Sequence, residues 1–211
     1  MKKLFVYGAG GMGREIFELV NKINVKEQKW EICGFIDDGK SGDTIEGDKI
    51  VGGYDFFEKL NEEVEVVIGI ADTKIKKKII QKLQNNPYVS FPTIIHPEAN
   101  ISKNCIIKKG CIVTYGCTVA TNAVLEEFVF MNTGSDVGHD TIIGEYSTIM
   151  PSVNISGCCK IGKCVLFGTK ACIIPGRNIG NESTIGAGAV VLRDIPKNVT
   201  VLGNPGKIFK F

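Results

Sequence analysis

A chain of 211 residues has room for two modest hydrophobic cores, each within the usual domain range. Its 25 basic and 23 acidic side chains leave a formal net charge of +2 with no basic block, which argues against a nucleic-acid-binding surface. Neither a signal-peptide-like start nor an apolar run of transmembrane length is present, so a cytoplasmic chain with no membrane partner is expected.

The first part reads as alternating strands and helices. Residues 3–8 (KLFVYG) form a buried strand, followed by Ala9-Gly10-Gly11-Met12-Gly13 and a helix predicted over 14–22. A second strand over 30–36 ends at Asp37-Asp38, and a third over 64–70 precedes a helix with Ile75, Ile79, Ile80 and Leu83 at helical spacing. Lys74, Lys76, Lys77 and Lys78 on that helix read as a solvated face. A last strand over 89–95 leads into His96-Pro97, which reads as a linker. Such alternation implies a parallel sheet with helices on its faces, occupying residues 1–95. Gly8, Gly10 and Gly13 have the G-x-G-x-x-G spacing between strand and helix, with an acidic pair closing the second strand: the dinucleotide fingerprint. Glycine there lets backbone approach a phosphate at a helix N-terminus. A dehydrogenase fits poorly, because about 90 residues hold one half of a doubly wound sheet and no hydride-transfer domain. A purely structural glycine turn is the other alternative.

From Ile101 to Val191 every sixth residue is aliphatic, methionine or phenylalanine. A second column, from Cys105 through Cys111 and Cys117 to Ala189, lies four residues after each anchor and is nearly all small; Arg177 alone is out of character. A period of six fits neither helix nor ordinary strand. It fits a parallel β-helix over 96–211 in which three six-residue sides make one coil, with anchors pointing inward and small residues at the corners. Sixteen hexads give about five coils, and residues 18 apart become neighbours in the stack.

Position disposes of most of the eight cysteines. Cys105, Cys111, Cys117 and Cys159 stand in the small inward column, where free cysteine behaves as a small hydrophobe, and no pair has CxxC spacing; neither metal nor disulfide is expected. The chain has two histidines. His139, two residues after the anchor Val137, is outward-facing or at a corner, and Asp140 beside it could fix its tautomer and raise its basicity. Most surface histidines do nothing. One coil on, however, Gly157 would offer a backbone N–H with no side chain in the way, and a base beside an exposed donor is the minimum for acyl transfer. No Ser-His-Asp set is evident, so direct attack on the acyl donor is expected over a covalent acyl-enzyme.

The hexad array, the segment Asn132-Thr133-Gly134-Ser135-Asp136-Val137-Gly138-His139-Asp140, the later Gly186-Ala187-Gly188-Ala189-Val190-Val191 and the tail Gly203-Asn204-Pro205-Gly206-Lys207 together resemble the sialic acid O-acetyltransferase family of sugar O-acyltransferases. That family includes N-acetyltransferases of UDP-linked 4-amino sugars and of GDP-perosamine. The resemblance covers the whole chain and implies a Rossmann-like half domain followed by a left-handed parallel β-helix, acetyl-CoA as co-substrate and a homotrimer with sites between subunits. It implies His139 as general base, Asp140 as its acidic partner and Asn132 near the acceptor. Thr148, Gly157, Thr169 and Ala187 fall at positions that line the acetyl-CoA channel. Thr148 replaces a histidine common in relatives, and Ser152 a glycine. Gly10, Gly11 and Met12 would meet the phosphates or sugar of a nucleotide-sugar acceptor, Asp37 and Asp38 its base or ribose, and Gly69 the opposite wall. The glycine loop and Asp pair suit N-acetylation of a nucleotide-linked amino sugar better than O-acetylation of sialic acid. A nicotinamide-dependent oxidoreductase and a non-catalytic hexapeptide scaffold are the remaining readings.

Overall fold

The computed structural model describes residues 1–40, 44–45 and 47–209. They form two compact units, Met1–Pro92 and Thr93–Phe211.

The first unit runs β1 (Lys2–Tyr7), α1 (Gly11–Lys26), β2 (Trp30–Ile36), β3 (Thr44–Ile45), β4 (Asp48–Gly52), α2 (Asp55–Glu58), β5 (Val64–Ile68), α3 (Thr73–Leu83) and β6 (Val89–Ser90). The sheet order is β3-β4-β2-β1-β5-β6, parallel throughout except for the β3–β4 hairpin. The chain builds outward through β2 and β4, then crosses to the other side of β1 to lay down β5. Five parallel strands therefore span a topological switch point between β1 and β5. The hairpin and α2 carry no periodic signal and were not foreseen.

Two expectations fail locally. The last strand stops at Ser90 instead of continuing to 95: Pro92 lacks an N–H for the ladder, and Ile94–Ile95 pairs with Ile112–Val113 in the second unit. On α3 the buried stripe is Thr73, Lys76, Ile80 and Leu83. Lys76 is thus buried, at 2% exposure, and does not share the solvated face of Lys74 and Lys78, while Ile75 is turned outward.

The second unit is the parallel β-helix. Its rungs from 94 to 191 are two-residue strands, and rungs 18 residues apart pair, as Ile142–Ile143 does with Val124–Leu125 and Lys160–Ile161. From Val113 to Val191 every anchor is buried; Ile101 and Ile107 at the start are partly so. The repeat outruns sixteen hexads. Ile95 precedes it and Val201 follows it, so one face stacks eight strands, the last of them antiparallel, and the others six and five. The last coil is two residues short, since Ile179 bridges Ile195 and Ile185 pairs with Val201. His96 follows the first rung and is no linker: it is buried, its Nδ1 accepts from the Glu98 N–H at 3.0 Å, and its ring meets Tyr115 edge-on.

The corner column does more than fit. Ser135 Oγ donates to the Met150 carbonyl at 2.9 Å and accepts from the Val153 N–H at 3.2 Å. Thr141 and Ser147 repeat both bonds, and the thiols of Cys111, Cys117 and Cys159 donate to the equivalent carbonyls 15 residues ahead. These side chains satisfy corner peptide groups that the sheet leaves over. Burial pushes the Cys117 and Cys159 thiols up, which keeps them as donors. Every sixth residue from Gly110 to Gly188 has a positive φ, including Asp140 at 56°, Ser152 at 59° and Cys158 at 60°. A side chain there costs about 1–2 kcal/mol and is least strained for Asn and Asp, so Ser152 carries a strain that glycine would not.

Candidate active site

Neighbouring coils set the geometry around His139. It leaves the Asp136–Val137 rung at the second residue of a corner, and Asp140 follows in the left-handed conformation that turns its carboxylate back. Asp140 Oδ2 lies 2.8 Å from His139 Nδ1, and Asp140 Oδ1 accepts from Asn122 Nδ2 at 3.0 Å. The bonds from His139, then Asn122, hold the Asp140 carboxyl below its ordinary value, so it stays an anion at neutral pH. An anion at Nδ1 makes that nitrogen the protonated one and leaves Nε2 with a free lone pair. Both side chains are more than half exposed, hence open to a ligand.

Gly157 lies directly beneath the ring. A Cβ there would stand 2.5 Å from His139 Nε2 and 2.7 Å from Cε1, so only glycine admits the imidazole in this position. Among the described residues its N–H donates no hydrogen bond, whereas the amides on either side are paired with Ile173 and His139 carbonyls. The imidazole and an unpaired donor thus stand together, the arrangement that acyl transfer requires. Gly157→Ala is expected to displace the ring and lower kcat about 100-fold, the worth of a displacement near 1 Å, with the melting temperature little changed. Parallel activity and thermal-melting measurements check both halves.

The remaining β-helix residues do not join this corner. Asn132, Thr169 and Ala187 follow rungs of the eight-stranded face and occupy the corner before it. Thr169 and Ala187 are exposed, while Asn132 is buried and its Oδ1 accepts from the Thr133 N–H at 2.7 Å. Thr148 has no accessible surface at all, being covered within the chain, so it offers no contact to a ligand here. Asn122 escaped notice, although it stands 18 residues before Asp140 and the coil length pointed to it.

In the first unit, Gly10, Gly11, Met12, Asp37, Asp38 and Gly69 all line one open cavity of about 370 Å³, together with Tyr7, Ile70, Ile75 and Ile79. This is where Ile75 and Ile79 face. Gly13 is required by packing, since a Cβ would strike the Gly8 carbonyl oxygen; Gly10 and Gly11 have open space where a Cβ would go. Helix α1 starts there with neither a side-chain cap nor an acid in its first turn. Both acids brace the loop as well as lining the cavity. Asp37 accepts from the Ala9 and Gly39 amides at 2.8 and 3.0 Å; Asp38 accepts from the Tyr7 hydroxyl and Tyr54 amide at 2.6 and 2.8 Å. Burial, then Asp38, drives the Tyr7 hydroxyl far above its usual range, so it remains the donor.

Residues 3–83 match the PglD N-terminal domain family. The chain is 30% identical to GDP-perosamine N-acetyltransferase of Escherichia coli O157:H7, in a match covering 97% of this chain and 95% of that one. It belongs to the hexapeptide-repeat acetyltransferases. The acetyltransferase domain of PglB from Neisseria gonorrhoeae FA1090, solved in complex with acetyl coenzyme A, is similar at 32% identity and a TM-score of 0.91 over 99% of each chain. A mutant perosamine N-acetyltransferase from Caulobacter crescentus, solved with CoA and GDP-perosamine, reaches a TM-score of 0.92 over 100% of this chain and 98% of that one; at 23% identity it attests the fold. A hexapeptide-repeat acetyltransferase of this fold is a left-handed β-helix, against the usual right-handed crossover. The chain is an acyltransferase. No described helix is long and apolar enough to cross a membrane.

Proposed function

We propose that this chain transfers the acetyl group of acetyl-CoA to the amino group of a nucleotide-linked amino sugar in the cytoplasm. The observation that carries this reading is the free Nε2 of His139, braced through Nδ1 by Asp140, above the unpaired Gly157 amide. His139 removes a proton from the acceptor amine as its nitrogen attacks the thioester carbonyl. Gly157 N–H holds the developing oxyanion, and the imidazolium returns the proton to the leaving CoA sulfur. The relative's action on GDP-perosamine and the open glycine loop support a nucleotide-sugar acceptor in the first-unit cavity. The test is CoA release across UDP-, GDP- and TDP-amino sugars and free sialic acid. Turnover with sialic acid alone overturns the amino-sugar reading.

Thr169 and Ala187 stand at a different corner from His139. If both corners touch one acetyl-CoA, the nearest arrangement is a homotrimer in which one copy's corner faces another's, Asn132 lying on the same side as Thr169. The outward ladder Ile106, Val124 and Ile142, with its end members 55% and 41% exposed, is a surface such an assembly would cover. Light scattering is expected to give a trimer mass at micromolar concentration; a monomer overturns the shared site.

Asp37→Ala removes the carboxylate that holds the Ala9 amide and borders the cavity. It is expected to raise the acceptor KM about 10- to 100-fold, the worth of one lost charge-assisted hydrogen bond, while the acetyl-CoA KM stays within about twofold. Steady-state kinetics with each substrate varied in turn checks the difference.

A further inference from the structure

Cys158 has no part in acetyl transfer, yet it completes a set of donors around the base. One ligand atom each of His139, Asp140 and Cys158 lies within 4.8 Å of the other two, and all three residues are exposed. The β-helix builds this cluster. Asp140 and Cys158 occupy equivalent left-handed corner positions in successive coils, and the Cys158 N–H donates to the His139 carbonyl at 2.8 Å. Gly157, lacking a side chain, admits the ring at this corner.

We propose that His139, Asp140 and Cys158 bind a thiophilic divalent cation such as Zn²⁺, and that the bound metal switches acetyl transfer off. Nitrogen, carboxylate oxygen and sulfur are the donor set of tetrahedral zinc, with bonds of about 2.0–2.3 Å. Ligand atoms on such a tetrahedron stand roughly 3.3–3.8 Å apart, so the cluster closes by about 1 Å, within reach of rotations about exposed side-chain bonds. The thiolate selects against Mg²⁺ and Ca²⁺. As the sulfur–metal bond forms, the thiol proton passes to solvent and no oxidation state changes. Three protein ligands leave a fourth position for water, and a metal at Nδ1, the nitrogen beside Asp140, shifts the ring proton to Nε2, which then has no lone pair for the acceptor's proton. The inhibitory half rests on His139 being the base; the binding half does not.

Co²⁺ is the probe for binding, and buffered free Zn²⁺ for inhibition. Titrating Co²⁺ into the protein is expected to raise a thiolate-to-metal charge-transfer band that Cys158→Ser lacks. In an assay that follows the acetylated sugar, since CoA thiol itself binds zinc, the wild type is expected to lose activity reversibly with chelator. Cys158→Ser should keep basal activity and need at least about 10-fold more free Zn²⁺, given that losing even an outer-shell partner of a metal ligand costs about 10–100-fold in affinity. No band, or the same band in both proteins, overturns the site, as do identical zinc curves. A Cys158-dependent band with activity untouched overturns the inhibitory half and places the base elsewhere than His139.

Discussion

Replacing His139 by alanine is expected to lower kcat by roughly 10²–10⁴-fold, the usual contribution of a positioned general base, while acetyl-CoA affinity changes little. The size of the effect follows from isolation. Among the described residues the other histidine, His96, is buried against Tyr115 at the first rung and cannot take over. Asp140→Asn is expected to cost less, because the carboxylate orients and polarises the ring without accepting the substrate's proton. The limb of the kcat/KM pH profile that reports deprotonation of the base should disappear in the alanine variant. Measurement of kcat, both KM values and the pH profile for wild type and the two variants checks these claims together. A His139→Ala enzyme retaining most of its activity would mean that the amine attacks unaided or that another group is the base.

Ile143→Asp is expected to destabilise the β-helix by about 3–5 kcal/mol, as an uncompensated buried charge does, a large part of the 5–15 kcal/mol that holds a typical domain together. Ile143 has no exposed surface and sits between Leu125 and Ile161 in the stack, so the carboxylate would have neither water nor a partner. Lys160→Asp, at an exposed outward position one residue before the anchor Ile161, is expected to change stability by no more than about 0.5 kcal/mol. Thermal or denaturant unfolding of the two variants reads the register directly. Equal melting would mean that the inward column is not the one beginning at Ile101.

Period decided how far the sequence could be read. In the β-helix a single spacing of six sets which residues face in, and stacking joins only neighbours in that count, so burial of Val113 through Val191 and the placing of His139 beside Gly157 were both legible. The same count could have supplied Asn122 and Cys158, each 18 residues from Asp140, but a search for CxxC spacing looks along the chain and not up the stack. Where period fails, so does legibility. The last coil drops two residues at its corner, and the end of β6 depends on a proline and on which partner claims Ile94–Ile95.

Sequence by itself determined the inward and outward residues of the hexads, the glycine loop and the adjacent His139 and Asp140, because each rests on local spacing. Only the tertiary structure decided the rest. It turned α3 so that Lys76 is buried while Ile75 and Ile79 wall the cavity, and it took Thr148 out of reach of solvent. It also set Thr169 and Ala187 at a different corner from His139. The reason is that rotation of a helix about its axis, cover over an outward residue and the choice of corner are fixed by contacts between segments distant in the chain, which no local pattern encodes.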